Sequence, residues 1–172
     1  MNKKFIALLS VLLMFMTSVY GADSKVKFDN KTYNLSNPET KSDKYVYLLK
    51  NENIGNWTSK VYKEYMKDVQ NPTEAAAEEA YRIQKENPKA VVLVYPKVAT
   101  LGYITFPENK QYYEYNCIVF KPDKTGINRI GYTRRFYSSS NGGENGARTA
   151  AILFAEKYNK KYMEMINRLS IK

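Results

Sequence analysis

The sequence predicts an α+β fold, in which helices pack on one antiparallel sheet as an α/β/α sandwich. Eight short segments rich in Tyr, Val, Ile and Phe are separated by turn residues, and two further segments have helical spacing, in the order ββββ-α-ββββ-α. Most neighbouring strands are joined by connections too short for a parallel crossover, so the sheet is expected to be antiparallel. Both amphipathic helices then bury their apolar faces against that sheet.

The first four strands lie before the first helix. Residues Lys25 to Ser36 form a predicted hairpin around the turn Asp29-Asn30-Lys31, because Asp and Asn tolerate the left-handed backbone conformation. A polar loop follows from Asn37 to Asp43. The next two strands are predicted at Tyr45 to Leu49 and, after a turn around Gly55, at Trp57 to Met66.

The first helix has clear signals at both ends. Asn71 is a predicted N-cap, Pro72 suits the first helical position, and Asn87-Pro88 ends the helix. Its small apolar face indicates close packing on a sheet and consists of Ala76, Ala80 and Ile83.

Four more strands and a long helix complete the predicted domain. The strands are Ala90 to Tyr95, Leu101 to Phe106, Tyr112 to Phe120 and Ile127 to Tyr137. A loop rich in Ser, Asn and Gly runs from Ser138 to Asn145. The closing helix is expected from Gly146 to Leu169, since apolar residues recur there at helical spacing.

The first twenty-one residues have the pattern of a bacterial secretory signal. Lys3 and Lys4 precede an apolar run from Phe5 to Met16, and Val19-Tyr20-Gly21 fits a cleavage site. We therefore expect residues 1–21 to be removed and residues 22–172 to form a single α+β domain in the periplasm or outside the cell. No second long apolar segment and no Cys near the cleavage site occur in the sequence, so neither a membrane-spanning segment nor a lipid anchor is expected.

Composition excludes several chemistries. The chain has a net charge of +10, one cysteine and no histidine. Histidine-activated nucleophiles and most zinc or copper sites are thereby excluded, and neither a metal nor a cofactor is predicted. A single cysteine forms no intramolecular disulfide, and strand alternation predicts that Cys117 is buried beside Tyr115 and Val119. The basic charge indicates an anionic partner or, alternatively, lysines that simply face solvent.

Two segments carry a resemblance to known proteins. These are Glu52-Asn53-Ile54-Gly55-Asn56-Trp57-Thr58, at the start of a strand, and the Arg-containing strand Tyr132-Thr133-Arg134-Arg135-Phe136. With the order of elements, they make the chain similar to exported bacterial proteins of the PsbP-like α/β/α sandwich families. The resemblance implies an accessory factor rather than an enzyme, and it transfers no catalytic residue. It also implies that Trp57 anchors the fold, whereas the paired cysteines of many relatives are missing here.

Arg134 is the centre of the candidate site, because it shares a strand face with Ile130, Tyr132 and Phe136. One interpretation is an ion pair with a carboxylate such as Glu114, or a stem that lies along apolar surface. The other is a clamp for a ligand carboxylate or phosphate. The second interpretation adds the loop and helix start that follow, and the candidate ligand-binding residues are Arg134, Tyr132, Arg135, Asn141, Gly142, Gly143 and Arg148. The loop has the plainer alternative of a flexible connection with a helix cap.

These patterns favour a non-enzymatic exported protein of the cell envelope, acting as an accessory or binding protein for an envelope protein or an anionic ligand. Binding would use the aromatic sheet face or the cleft between the sheet and the final helix. Two alternatives stay open: a hydrolase or transferase that uses carboxylates and Tyr on an envelope polymer, and a basic surface module for anionic lipid or polysaccharide. Nucleic acid is disfavoured by the export signal, and no catalytic residue is predicted.

Overall fold

A computed structural model describes residues 22–36, 43–106 and 111–171 as one eight-stranded sheet with two helices. The predicted signal segment, residues 1–21, lies outside the described residues, as does most of the predicted loop from Asn37 to Asp43. Every pairing in the sheet is antiparallel. The predicted fold class and order of elements are thereby confirmed.

The strands run in the spatial order β1-β2-β3-β4-β8-β7-β6-β5. Their bounds are β1 Lys25–Phe28, β2 Lys31–Leu35, β3 Lys44–Leu49, β4 Ser59–Lys67, β5 Val91–Tyr95, β6 Thr100–Thr105, β7 Tyr112–Pro122 and β8 Gly126–Tyr137. The two halves of the chain therefore join at the centre, where β4 pairs with β8, and each half ends in an edge strand. The predicted fourth strand began at Trp57, but Ser59 is its first residue.

Helix α1 spans Pro72–Glu86 and helix α2 spans Glu144–Arg168. The predicted cap of α1 is confirmed, because the Asn71 side chain accepts hydrogen bonds from the backbone N–H groups of Thr73 and Glu74. Helix α2 begins two residues before the predicted Gly146, with Gly143 at a φ of 91° as its N-cap. Neither helix in the described part of the chain is both long and apolar enough to cross a membrane.

Helix α2 covers the aromatic face of the sheet, which we call the α2 face. Its residues Phe154 and Tyr162 pack among rings from the strands, including Phe28, Tyr115 and Tyr132. Cys117 lies in the same core at 0% exposure, with its Sγ 3.3 Å from the sulfur of Met163. Burial raises the pKa of the Cys117 thiol to about 12, so the thiol is protonated near neutral pH. The predicted burial of Cys117 is confirmed.

Helix α1 covers only part of the opposite face, which we call the α1 face. It packs mainly on β5, β6 and β7, through a surface of small residues made by Ala75, Ala76, Ala80 and Ile83. It reaches β8 through Glu79, which forms an ion pair with Arg129. The α1-face residues of β3 and β4 therefore lie beside the helix rather than beneath it, and this partial cover leaves polar side chains accessible there.

Candidate functional site

The structure separates Arg134 from Arg135, two of the three arginines of the predicted site. Arg134 lies on the α2 face, where its guanidinium is 4.6 Å from the ring centre of Phe154 and 5.2 Å from that of Phe136. Arg135 is on the α1 face, since successive strand residues point to opposite faces. A ligand therefore cannot contact both guanidinium groups at one surface.

Glu114 pairs with Arg135, and not with Arg134. Glu114 and Arg135 are register partners on β7 and β8, and the Arg135 Nε is 2.9 Å from a Glu114 oxygen. Arg135 also stacks on Trp57 and Tyr112, with its guanidinium carbon 3.7 and 4.0 Å from the ring centres. The interpretation of an ion pair between Arg134 and Glu114 is therefore wrong. Arg134 instead lies over aromatic rings, as the interpretation of a stem along apolar surface requires.

The remaining predicted residues lie in two further places. Tyr132 belongs to the core at 1% exposure, with its ring centre 4.9 Å from those of Phe28 and Tyr162. The loop before α2 is ordered by its own hydrogen bonds, because the Asn141 side chain donates to the Tyr137 carbonyl at 2.7 Å. Gly142 has a φ of 71°, a left-handed conformation that suits glycine.

Arg148 borders a sizeable cleft. We call it the edge cleft, because it lies between the edge strand β5, its neighbour β6 and the flank of α2. Its volume is about 530 Å³. It is lined by Lys89, Val91, Leu93, Tyr95, Gly102, Tyr103, Ile104, Phe106, Tyr115, Arg148, Ile152, Ala155, Glu156, Asn159 and Lys160. It lies between the sheet and the final helix, which is one of the two binding places predicted from the sequence.

Strand β5 makes one wall of the edge cleft and exposes an unusual amount of apolar surface. Val91, Leu93 and Tyr95 are 59%, 46% and 43% exposed and line the cleft. Val94 is 41% exposed and points to the opposite face. Within the described residues, β5 pairs only with β6, so its outer edge carries backbone groups without a strand partner. Such an edge is a ready template for another strand.

The floor of the cleft is polar at one point. Asn159, which is 8% exposed, accepts a hydrogen bond from the Tyr115 hydroxyl at 2.9 Å. A Cβ atom on Gly102 would lie only 2.3 Å from the Asn159 side-chain oxygen, so a larger residue there would force Asn159 to shift. Burial raises the pKa of Tyr115 well above its usual value, which keeps the hydroxyl protonated as the donor.

The rim of the cleft is mainly basic. Lys89, Arg148 and Lys160 line it, and Glu156 is the one carboxylate in its lining. The arrangement can bind an apolar group that carries negative charge at its ends. Among the residues that the structure describes, no three His, Cys, Asp or Glu side chains gather as a metal site.

Sequence reasoning did not single out Val91, Leu93 and Tyr95 as functional residues. Their segment was predicted as a strand, but a run of apolar residues is equally typical of a strand buried on both faces. The absence of any alternating polar residue in Val91–Tyr95 was the available signal. It becomes informative only once β5 is known to be an edge strand.

Comparison with curated proteins gives no match, and comparison with solved structures gives none either. One protein-family model matches residues 20–171 and so includes every residue that the structure describes. The match therefore contains both the edge cleft and the strands that carry the predicted arginines. Because it spans well over half of the chain, the chain belongs to this family.

Proposed function

We propose that this chain is an exported, non-enzymatic binding protein of the cell envelope, and that it holds an extended apolar segment of a partner protein along β5. The observation that carries the proposal is the apolar edge strand, with Val91, Leu93 and Tyr95 each more than two-fifths exposed beside a cleft of about 530 Å³. Exposed apolar patches of this kind are typical of interaction sites.

The geometry suits strand addition as the binding mode. A partner segment that pairs with the outer edge of β5 would gain main-chain hydrogen bonds, and its alternate side chains would enter the edge cleft. Specificity would come from the pocket walls, since Leu93 and Tyr95 on one side face Ile152 on α2 across the cleft. The partner segment would therefore alternate apolar residues with residues of any kind.

Charge indicates what flanks that segment. Lys89, Arg148 and Lys160 border the cleft against one acid, Glu156, and the chain without the two lysines of its signal segment carries +8. Acidic residues on either side of the apolar segment would complement this rim and speed association. An apolar segment with acidic flanks is thus the proposed recognition element of the envelope partner.

The two alternative functions receive less support from the same cleft. A polymer hydrolase of the usual kind needs two carboxylates across the substrate, whereas Glu156 is the one carboxylate in the lining. A surface module for anionic lipid or polysaccharide would present cations, but the exposed centre of this surface is the apolar row Val91, Leu93 and Tyr95. Both observations favour a protein partner.

The export component of the proposal rests on residues 1–21 and has its own test. Mass spectrometry of the protein purified from its native cells is expected to show a chain that begins at Ala22. A chain that retains Met1 and stays with the cytoplasmic fraction would contradict export, while leaving the edge cleft untouched.

The binding component is tested by site-specific photo-crosslinking in living cells. A photoreactive phenylalanine analogue replaces Leu93 in one strain and Lys27, an exposed residue of the other edge strand, in a matched control strain. We expect a crosslinked product of one defined mass from position 93 and none from position 27. Adding Val91→Lys should remove that product by placing a charge in the apolar row.

Three results would oppose the proposal. Identical products from positions 93 and 27 would indicate random collisions. A product of twice the mass of the chain would assign the edge to self-association rather than to a partner. No product at position 93, with the protein folded and exported, would show that the edge is not occupied in the cell.

A further inference from the structure

We propose a second ligand site, on the α1 face, that binds a small oxyanion group such as a phosphate or a carboxylate. It is a pocket of about 170 Å³ beside α1. Helix α2, which forms one wall of the edge cleft, lies on the opposite side of the sheet. Its walls combine three cationic side chains with hydroxyl and amide groups. Tyr103 lines both pockets, whereas the other residues of this pocket lie outside the edge cleft, and the inference needs no protein partner.

The floor of this pocket is a row of polar residues from four adjacent strands. Lys60 on β4 pairs in register with Thr133 on β8, Thr133 pairs with Asn116 on β7, and Asn116 pairs with Tyr103 on β6. Register partners point to the same face, so the four side chains stand side by side. We call this set the polar row. The row on one side of it contains Ile118 and Leu101, and the row on the other side contains the pair Glu114 and Arg135.

Hydrogen-bond donors in the pocket lack partners inside the protein. Tyr62 and Tyr103 are 5% and 8% exposed, both line the pocket, and their hydroxyls make no hydrogen bond with any described residue. Both hydroxyls are open to the pocket rather than fully enclosed by protein. An oxyanion in the pocket could therefore accept a hydrogen bond from each hydroxyl in place of water.

The polar row contains a further donor, the Asn116 amide, that makes only a long hydrogen bond within the protein. Thr133, at 2% exposure, donates to the Asn116 side-chain oxygen at 2.9 Å. The Asn116 amide nitrogen then reaches only the Glu114 carbonyl, at 3.4 Å, which is a long hydrogen bond. This orientation presents the amide N–H₂ group of a 6%-exposed residue as a further donor for an anion.

Positive charge dominates the lining. Lys44, Lys60 and Arg129 line the pocket, and its lining contains no carboxylate. Arg129 forms ion pairs with Glu64 and Glu79, which lie outside that lining, and its Nη1 is 2.9 Å from a Glu64 oxygen. The Lys44 Nζ lies 3.8 Å from a Glu64 oxygen. Lys60 forms no ion pair with a described residue, and its ammonium lies 4.2 Å from the centre of the Trp57 ring.

The surroundings of Lys60 disfavour its positive charge. Burial lowers the pKa of Lys60, and the positive charges of Arg135, Lys44 and Arg129 lower it further, while Glu114 has the opposite effect. An oxyanion in the pocket would offset both the desolvation and the repulsion. The Tyr62 ring, which forms one wall of the pocket, packs directly on Gly131, where a Cβ atom would lie 2.2 Å from it.

Trp57 provides a direct reporter for the test. It is the one tryptophan of the sequence and packs against Lys60 and Arg135. The protein that begins at Ala22, the form expected after removal of the signal, is titrated with inorganic phosphate and, in a second series, with acetate. Sodium chloride keeps the ionic strength constant. Selective tryptophan fluorescence and isothermal titration calorimetry are recorded. We expect a saturable change with at least one oxyanion and none with chloride.

Two pairs of variants locate the site. Lys60→Gln is expected to weaken oxyanion binding about tenfold or more, whereas Lys67→Gln, which removes an exposed charge from the same strand, should change it less than about twofold. Tyr103→Phe keeps the ring and is expected to weaken binding about threefold. Its control is Tyr65→Phe, which removes a hydroxyl that contacts Thr125 outside the pocket.

The outcomes separate the sources of the signal. Saturation by acetate but not by phosphate would assign the pocket to a carboxylate, and the reverse to a phosphate group. Equal responses to chloride, or equal weakening by Lys60→Gln and Lys67→Gln, would reduce the effect to screening of surface charge and overturn the proposal. No saturable response from a folded parent protein would also overturn it.

Discussion

The two edge strands of the sheet are built from opposite kinds of residues. In β1, exposed Lys25 and Lys27 alternate with Val26 and Phe28, which are 5% and 3% exposed. In β5 all five residues, Val91–Tyr95, are apolar or aromatic, and four of them are exposed. Both strands end the same sheet and pair with one neighbour each among the described strands. The difference therefore lies in the side chains and not in the topology.

The contrast indicates which edge is protected. Lysines on an edge strand disfavour pairing with another chain, and β1 carries two of them. The turn after β1 is also tied to α2, because Asp29 accepts hydrogen bonds from Lys161 and Tyr162. Strand β5 contains no lysine and has no such tie to α2 among the described residues, although α2 runs along one side of it. An edge left apolar in this way is consistent with a use for it, as the proposed strand addition would provide.

The largest expected difference concerns stability. Phe28→Ala removes a ring that packs on Tyr132 and Tyr162, and should lower the free energy of unfolding by about 3–5 kcal/mol. Leu93→Ala, at a position that is 46% exposed, should lower it by about 1 kcal/mol or less. Urea denaturation followed by circular dichroism measures both.

Comparable losses for the two variants would show that β5 supports the fold as much as β1 does, and the comparison of edges would fail. Val26→Ala serves as the internal check on β1, since its 5%-exposed side chain should also cost more than Leu93→Ala.

Local signals were sufficient to predict the elements from the sequence. The alternation in Tyr112–Phe120, the Asn71 cap with Pro72, and the Asp29-Asn30 turn each depend on residues close in the chain. The structure agrees, with Asp29 and Asn30 both at positive φ. Helix α2 began earlier than predicted because Gly143, in a conformation that suits glycine, already starts the helix.

The candidate site depended on information that the sequence does not carry locally. Alternation correctly placed Arg134 with Tyr132 and Phe136, but the partner of Glu114 is set by the register between β7 and β8. In the same way, the polar row exists only because β4 pairs with β8, some seventy residues away. The edge position of β5 is likewise a result of strand order. The register and order of the strands therefore determine the features of the site that local sequence patterns do not predict.

A smaller effect is expected where β1 is tied to α2. Asp29→Asn removes the carboxylate that accepts from Lys161 at 2.7 Å and from Tyr162. It should cost about 1 kcal/mol at neutral pH, because solvent screens the Lys161 side of the interaction. Thermal and urea unfolding at several pH values measure it, with Asp43→Asn, an exposed aspartate, as the control.

The pH dependence of that effect has a definite sign. Burial raises the pKa of Asp29, but the hydrogen bonds from Lys161 and Tyr162 outweigh it and the net pKa is lowered from 3.8. A lowered pKa means that the stabilisation is fully present above about pH 4 and is lost as the pH falls through the folded-state value. The gap between parent and Asp29→Asn should therefore close in acid. A constant gap down to strongly acidic pH would contradict a role for the ionised carboxylate.

The smallest change in stability, and the sharpest test of the two edges, comes from exchanging their character. Leu93→Lys should alter the free energy of unfolding by no more than about 0.5 kcal/mol, since the side chain is 46% exposed. It should nevertheless reduce association of the protein, measured by light scattering during heating and at high concentration, because a lysine on an edge disfavours strand pairing. Lys27→Val, which makes β1 more apolar, should increase association. If Leu93→Lys associated like the parent protein while Lys27→Val also had no effect, the residues of the two edges would not control pairing, and their difference in composition would need another explanation.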